Sequence, residues 1–235
     1  MLAVRSTPAA NSILRTLSHK GYQHLLTSCK QVKLNYGDIL CETGDKIRYV
    51  YFVNSGLVSL LTPVAGYARV EVGLVGCEGM AGISLLMGIG ISPVRMLVQG
   101  KGIAMRMKAA QFSSEIKHNP VLHRGLNHYL YVLLAQVSQT AACNIHHHIA
   151  QRLARWLLMT QDRAKSDEFY LTQDFLSHML GVRRVSVSAA AAVLQKKNLI
   201  QYSRGTITVL NRKGLERASC QCYRAVNDIR DRMLG

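Results

Sequence analysis

Apolar residues change their period once along this chain, at Pro120. From about residue 34 to 107 they alternate or run together in "YVYFVNSGLVSLLTPV", "YARVEVGLV" and "VRMLVQGKGIAMRM", with glycine or Asn-Ser-Gly as punctuation. That pattern predicts short strands closing into an antiparallel barrel or sandwich. Asn54, Ser55 and Gly56 are expected to join "YVYFV" to "LVSLL" as a tight hairpin, because Asn and Gly tolerate positive φ. Beyond Pro120 the repeat lengthens to that of helices. The chain therefore divides into a strand-built half followed by a helix-built half.

The helical half opens with "NPVLHRGLNHYLYVLLAQVSQTAA", where Asn119 stands as a cap and Pro120 takes the first helical position. Two stripes run along this helix. One is Leu126, Tyr129, Leu133, Gln136 and Thr140; the other holds Leu122, Leu130, Leu134, Val137 and Ala141. Two faces call for two partners, either within one core or on the strand half and a second subunit. The first stripe is assigned here as a parallel two-fold seam between subunits. "IHHHIAQRLARWLLMTQDR" (145–163) reads as a second helix with Asn144 able to cap it and Ile149, Leu153, Trp156 and Leu157 on its buried face. A break between the two helices is expected at "ACNIH".

The stretch "FYLTQDFLSHMLGVRRVSVSAAAAVLQKKNLIQYSRGTITVL" follows a stricter plan. Thr172 caps a short helix with the stripe Phe175, Leu176 and Met179, and Gly181 ends it. A second helix starts at Arg183 and buries Val187, Ala190, Ala191 and Leu194. "LIQY" and "TITVL" then flank "SRG" as a two-stranded wing. This is a helix-turn-helix, whose second helix lies in the DNA major groove. Arg183 and Arg184 stand where phosphates and base edges would meet them, and arginine can grip guanine O6 and N7 with two bonds. Thr172, Gln173, Ser186 and Ser188 supply short donors for phosphate oxygens, and Arg204 adds a cation at the wing tip. The four alanines are expected to be small so that the helix packs closely on the rest of the motif. The formal charge of +16 points to a polyanionic partner. Residues 144–235 carry 15 basic and 7 acidic groups, net +8, on well under half of the chain.

Six cysteines are scattered without a C-x-x-C pair, and the N-terminus shows no basic region leading into an apolar one, so a reduced, cytoplasmic protein is expected. The longest apolar stretch, "MAGISLLMGIGI", is broken by three glycines and is too short to span a bilayer, so no membrane partner is expected. Cys220 and Cys222 lack a second ligand pair and read as inert thiols. His146, His147 and His148 are neighbours on a helix, about 100° apart, so no two share a face; they read as solvated or capping groups. No metal or cofactor is expected. No nucleophile elbow, phosphate loop or H-E-x-x-H occurs, so the chain does not read as an enzyme. The competing class is a sensor ligating metal or haem through His146 to His148 or the cysteines.

Taken whole, the chain resembles the Crp/Fnr family, the transcription regulators related to cyclic-AMP receptor protein and the fumarate-nitrate regulator. "YGDILCETGD", "VYFVNSGLVSL" and "GCEGMAGISLLMG" match the β-roll of that family, and "LTQDFLSHMLGVRRVSVSAAAAVLQKKNLI" its winged helix, in the right order over about residues 34–222. The resemblance implies an α+β chain. Its parts are a cyclic-nucleotide-binding-like β-roll, that is a double-stranded β-helix or jelly roll, at 1–118, a dimerisation helix at 119–143 and a winged helix-turn-helix at 144–235. It also implies a homodimer on double-stranded DNA with a palindromic operator, with RNA polymerase as a further partner. Departures narrow this. Cyclic-nucleotide-binding members hold the ribose with a Gly-Glu pair and the phosphate with an Arg-Ser pair. Here Gly82 is followed by Ile83, and Val94 stands in place of the arginine. Arg95 is one residue away, which on a strand is the opposite face. The pocket positions Gly82, Ile83, Val94 and Arg95 are therefore not expected to bind cyclic AMP in the usual way, and the effector is unidentified. No cysteine precedes Cys29, so the N-terminal iron-sulfur cluster of some members is not expected. Arg184 matches the family's base-reading arginine. Val185 stands where a glutamate often sits and Ala189 where some members have arginine, which implies a different operator.

Overall fold

The computed structural model describes residues 10–64 and 67–235. Two helices, α1 (Ser12–Arg15) and α2 (His19–Thr27), precede six strands: β1 (Cys29–Leu34), β2 (Ile39–Cys41), β3 (Tyr49–Val64), β4 (Tyr67–Val75), β5 (Met80–Ala81) and β6 (Arg95–Lys108). The strands form one antiparallel sheet in the order β1-β6-β3-β4, with β2 also on β6 and β5 on β3. Side chains from this sheet, Phe52, Met80 and Met107 among them, fill a closed apolar interior.

Asn54, Ser55 and Gly56 do not turn the chain. β3 runs through them, and both of its halves pair with β6; the register shifts at Val53/Ser55, Ser55/Leu57 and Leu57/Val58. Positive φ serves a bulge here: Gly56 lies at φ +91°, where a Cβ would come within 2.6 Å of the Gly100 carbonyl oxygen. Such a bulge bends a long strand and lets the sheet curl into a roll.

The helical half comprises α3 (Ala109–His118), α4 (Pro120–His146), α5 (Ile149–Ala164), α6 (Gln173–Leu180), α7 (Arg184–Lys196), α8 (Arg212–Ala218) and α9 (Cys222–Leu234). A three-stranded sheet, β7 (Glu168–Tyr170), β8 (Ile200–Ser203) and β9 (Thr206–Val209), runs in the order β7-β9-β8. Asn119 caps α4, its Oδ1 accepting from Leu122 N at 3.0 Å, with Pro120 at the first helical position as expected. The end of α4 differs. The helix continues through Asn144 to His146, and the extended residues His147 and His148 link it to α5. Ala141 and Ala142 favour helix, and exposed Asn144 has its side chain in solvent, so nothing stops the helix at "ACNIH". The backbone N–H of His148 is instead taken by Gln151 Oε1 at 3.3 Å.

The orientation of α4 corrects the expected subunit seam. Leu126, Tyr129, Leu133 and Gln136 are buried in the chain's own core, and Thr140 accepts from Arg155 of α5. The ring of Tyr129 lies on the backbone of Gly79, where a Cβ would come within 2.2 Å of it. Gln136 completes the sheet edge: its Oε1 accepts from Leu74 N at 2.7 Å and its Nε2 donates to Leu74 O at 3.1 Å. A polar residue within an apolar stripe thus marks contact with an unpaired strand edge, not with a second subunit. From the second stripe Leu122 is buried, Leu130 and Val137 are half-buried, and Leu134 and Ala141 are exposed. The face of α4 left open runs through Asn127, Tyr131, Leu134, Ser138, Ala141 and Ile145, at alternating spacings of four and three. Helix α9, which had no counterpart in the sequence expectations, lies antiparallel along α4, with His128 bonded to Met233 O near one end and Gln139 to Cys222 Sγ near the other.

Candidate nucleic-acid interface

Helices α6 and α7 form the expected pair around a glycine turn. Thr172 Oγ1 accepts from Phe175 N at 3.1 Å to start α6, and Gly181, at φ +61°, ends it. Arg183 is the N-cap of α7, which begins at Arg184, one residue later than expected. The buried face of α7 is Val187, Ala190, Ala191 and Leu194, and it packs on α5. Only two of the four alanines serve that packing; Ala189 and Ala192 are exposed. The outward face therefore presents Val185, Ala189, Ala192 and Val193, rimmed by Arg183, Arg184 and Lys196. A face of small side chains lets the helix backbone approach another surface closely, with cations at its margins.

Three of the expected residues meet across the turn. Gln173 Oε1 accepts from Ser188 Oγ at 2.9 Å and from Arg184 Nε at 3.3 Å. That bond uses Arg184 Nε alone and leaves both Nη groups without a hydrogen-bond partner among the described residues. Arg183 is exposed and Ser186 half-buried beside it, whereas Thr172 has its hydroxyl oxygen engaged in the cap. Arg204, at φ +49°, and Gly205, at φ +81°, form the two-residue turn between β8 and β9, a geometry that suits a hairpin. The wing is fixed to α7 and to the link into α6: Gln195 Oε1 accepts from Tyr202 N at 2.7 Å, and Tyr202 OH donates to Leu171 O at 2.7 Å. Strand β7, which joins the wing as a third strand, is not evident in the sequence pattern.

This unit rests on the β-roll through buried charged groups. Arg163 of α5 pairs with Glu78 at 2.7 Å, while Arg152 of α5 ties in α6 by donating to its Leu180 carbonyl. Glu71 on β4 accepts from Trp156 Nε1 and from Ser59 Oγ, both at 2.7 Å. Burial raises the Glu71 carboxyl from 4.5 to about 7, against the opposing hydrogen bonds of Ser59 and Trp156 and the charges of Arg155 and Arg163. Between those values the folded chain keeps a proton that the unfolded chain has released, so stability falls as pH rises through this window. From pH 5 to 7.5 the loss is expected to be on the order of 2 kcal/mol by denaturant titration, and Glu71→Gln is expected to flatten it. An unaltered slope in the variant would place the titrating proton elsewhere.

The effector positions lie in the β-roll. Ile83 and Val94 pack against its core, Gly82 takes φ +94°, and Arg95 is held by Glu42, with Nε at 2.8 Å. A second cluster is absent from the sequence expectations. Cys143, His147, Cys220 and Cys222 converge, each offering one ligand atom and all four atoms lying within 4.8 Å of one another. Of the three adjacent histidines His147 alone takes part; contrary to expectation the three do not share a helix, since His147 and His148 are extended. The available signal was the spacing of four between Cys143 and His147, a second ligand pair for the C-x-C at 220–222.

Residues 151–218 match the family model of the Crp-like helix-turn-helix domain. No curated protein matches the chain. Among solved structures, a putative transcriptional regulator of the Crp/Fnr family from Eubacterium rectale is similar at a TM-score of 0.68 and 16% identity, over 89% of this chain and 98% of that one. FixK2 from Bradyrhizobium japonicum is similar at 0.68 and 15% identity, over 82% and 98%. The c-di-GMP-responsive global regulator CLP of Xanthomonas campestris is similar at 0.68 and 14%, over 82% and 99%.

Proposed function

We propose that this chain, which carries a Crp-like helix-turn-helix domain and has the fold of the Crp/Fnr regulators, acts as a homodimeric, sequence-specific DNA-binding transcription regulator. The observation that carries the reading is the outward face of α7, where small side chains lie between Arg183, Arg184 and Lys196 and the Nη groups of Arg184 have no hydrogen-bond partner among the described residues. Set into a major groove, Arg184 would read a guanine, while Arg183, Ser186, Ser188, Gln173 and the wing-tip Arg204 would meet phosphates. Thr172 would act through its helix-capping role.

A second copy of the chain would cover the open face of α4. Tyr131 and Leu134 are 53% and 61% exposed, and with Ser138, Ala141 and Ile145 they keep a spacing of three and four that a parallel pair of helices can interlock. Two recognition helices would then face a palindromic operator, with RNA polymerase as the further partner of a regulator bound there. We assign the chain no enzymatic activity and a cytoplasmic location; no described helix is long and apolar enough to cross a membrane. The β-roll would not hold cyclic AMP in the usual way, because Ile83 and Val94 offer its ribose and phosphate no polar partner and Arg95 is taken by Glu42. Recovery of bound fragments from sheared genomic DNA tests the reading. Fragments sharing a two-fold symmetric motif are expected, and recovery with no shared motif would contradict it.

A further inference from the structure

We propose that Cys143, His147, Cys220 and Cys222 form a tetrahedral zinc site that ties the end of α4 to the turn between α8 and α9. The donor set suits zinc, for which Cys3His is a recurrent structural combination. The spacing suits it as well. Bonds of about 2.3 Å to sulfur and 2.0 Å to nitrogen place tetrahedral donors about 3.8 Å apart for two sulfurs and about 3.5 Å for sulfur and nitrogen. Cys143 Sγ and Cys220 Sγ are 3.5 Å apart, as are Cys222 Sγ and His147 Nδ1, and all four atoms lie within 4.8 Å. A disulfide would need its sulfurs near 2.05 Å. A multi-iron cluster would need its thiolates spread around several metal ions, wider than this group.

The surroundings supply a second, independent observation. Arg152 and Arg155 are buried and form no salt bridge with a carboxylate among the described residues. Two buried cations without an ion-paired carboxylate are costly, and Glu71, whose carboxyl feels the charge of Arg155, forms no salt bridge with it. Three thiolates around one divalent ion carry a net charge of −1, which would answer them. Gln139 Nε2 donates to Cys222 Sγ at 3.0 Å, the kind of outer hydrogen bond that orients a ligating thiolate.

Placement gives the site its consequence. Cys143 and His147 sit four apart at the end of α4, next to the extended link into α5, and Cys220 and Cys222 flank the start of α9. Zinc would staple the helix proposed to dimerise to the helices that follow the wing, and so fix the angle at which the helix-turn-helix leaves α4. Each thiol would lose its proton to solvent on binding, with no change in oxidation state.

The test is the metal content of the untagged chain, purified without chelator and dialysed against metal-free buffer. About one zinc per chain is expected, with Cys220→Ser/Cys222→Ser losing it and Cys41→Ser, a β-roll control, keeping it. Should the double variant fail to fold by circular dichroism, the wild-type chain stripped of metal and titrated with cobalt chloride decides. Intense visible bands of tetrahedral thiolate-bound cobalt, saturating at one equivalent and bleached by zinc chloride, are the expected result. Zinc below about a tenth of an equivalent with no such cobalt spectrum, or a Cys143–Cys220 disulfide in the protein as purified, would overturn the proposal.

Discussion

Leu134→Glu is expected to leave the chain folded, yet monomeric and unable to hold its operator. Leu134 is 61% exposed on α4 and lies outside the buried core, so a glutamate there costs the single chain little. In a parallel two-fold pair the residue faces its own copy. Two carboxylates would then meet in a seam emptied of water, where like charges without partners are strongly destabilising. A fall of more than about 100-fold in dimer affinity is expected, corresponding to roughly 3 kcal/mol or more. Sedimentation velocity and operator titration should change together, because one subunit can grip only one half-site. The neighbouring Leu133→Glu should behave differently: Leu133 is buried on the β-roll, so that variant should lose stability by circular dichroism. A Leu134 variant that stayed dimeric and bound normally would place the seam on another face.

Arg184→Ala is expected to erase the preference for operator over random duplex. A bidentate arginine–guanine contact discriminates by about 1–3 kcal/mol, and a dimer makes it twice, so the preference should fall by roughly 30-fold to over 10,000-fold. Lys196→Ala, on an exposed residue near the far end of α7, should weaken all duplexes alike and lower the salt dependence by about two counterions, one per subunit. The contrast separates base reading from charge. Removing Arg184 also frees Gln173 Oε1 from one donor, but Ser188 still bonds to it, so the helix pair itself should persist.

The helix-turn-helix was legible almost residue by residue, since the cap at Thr172, the glycine turn and the buried set of α7 each follow from local geometry that only one arrangement satisfies. The strand half was legible as a class but not in its details. Asn-Ser-Gly announces positive φ without saying whether the chain turns or bulges, and pairing with β6, some 40 residues away, decides it. The face of α4 was misread for a related reason. Two stripes on one helix look equivalent until the edge of β4, which claims Gln136, is placed beside one of them. Strand β7 is three residues long and gains its identity from β9 alone. The thiol and imidazole cluster joins positions 77 residues apart, and no period within either segment brings them together.

Whether α7 reads DNA as one of a symmetric pair is tested most directly by footprinting the wild-type chain on a recovered genomic fragment. The expected pattern is two protected half-sites related by two-fold symmetry on one face of the duplex, their centres about 34 Å apart, one helical turn. A single protected half-site, or even protection along the fragment without symmetry, would contradict it.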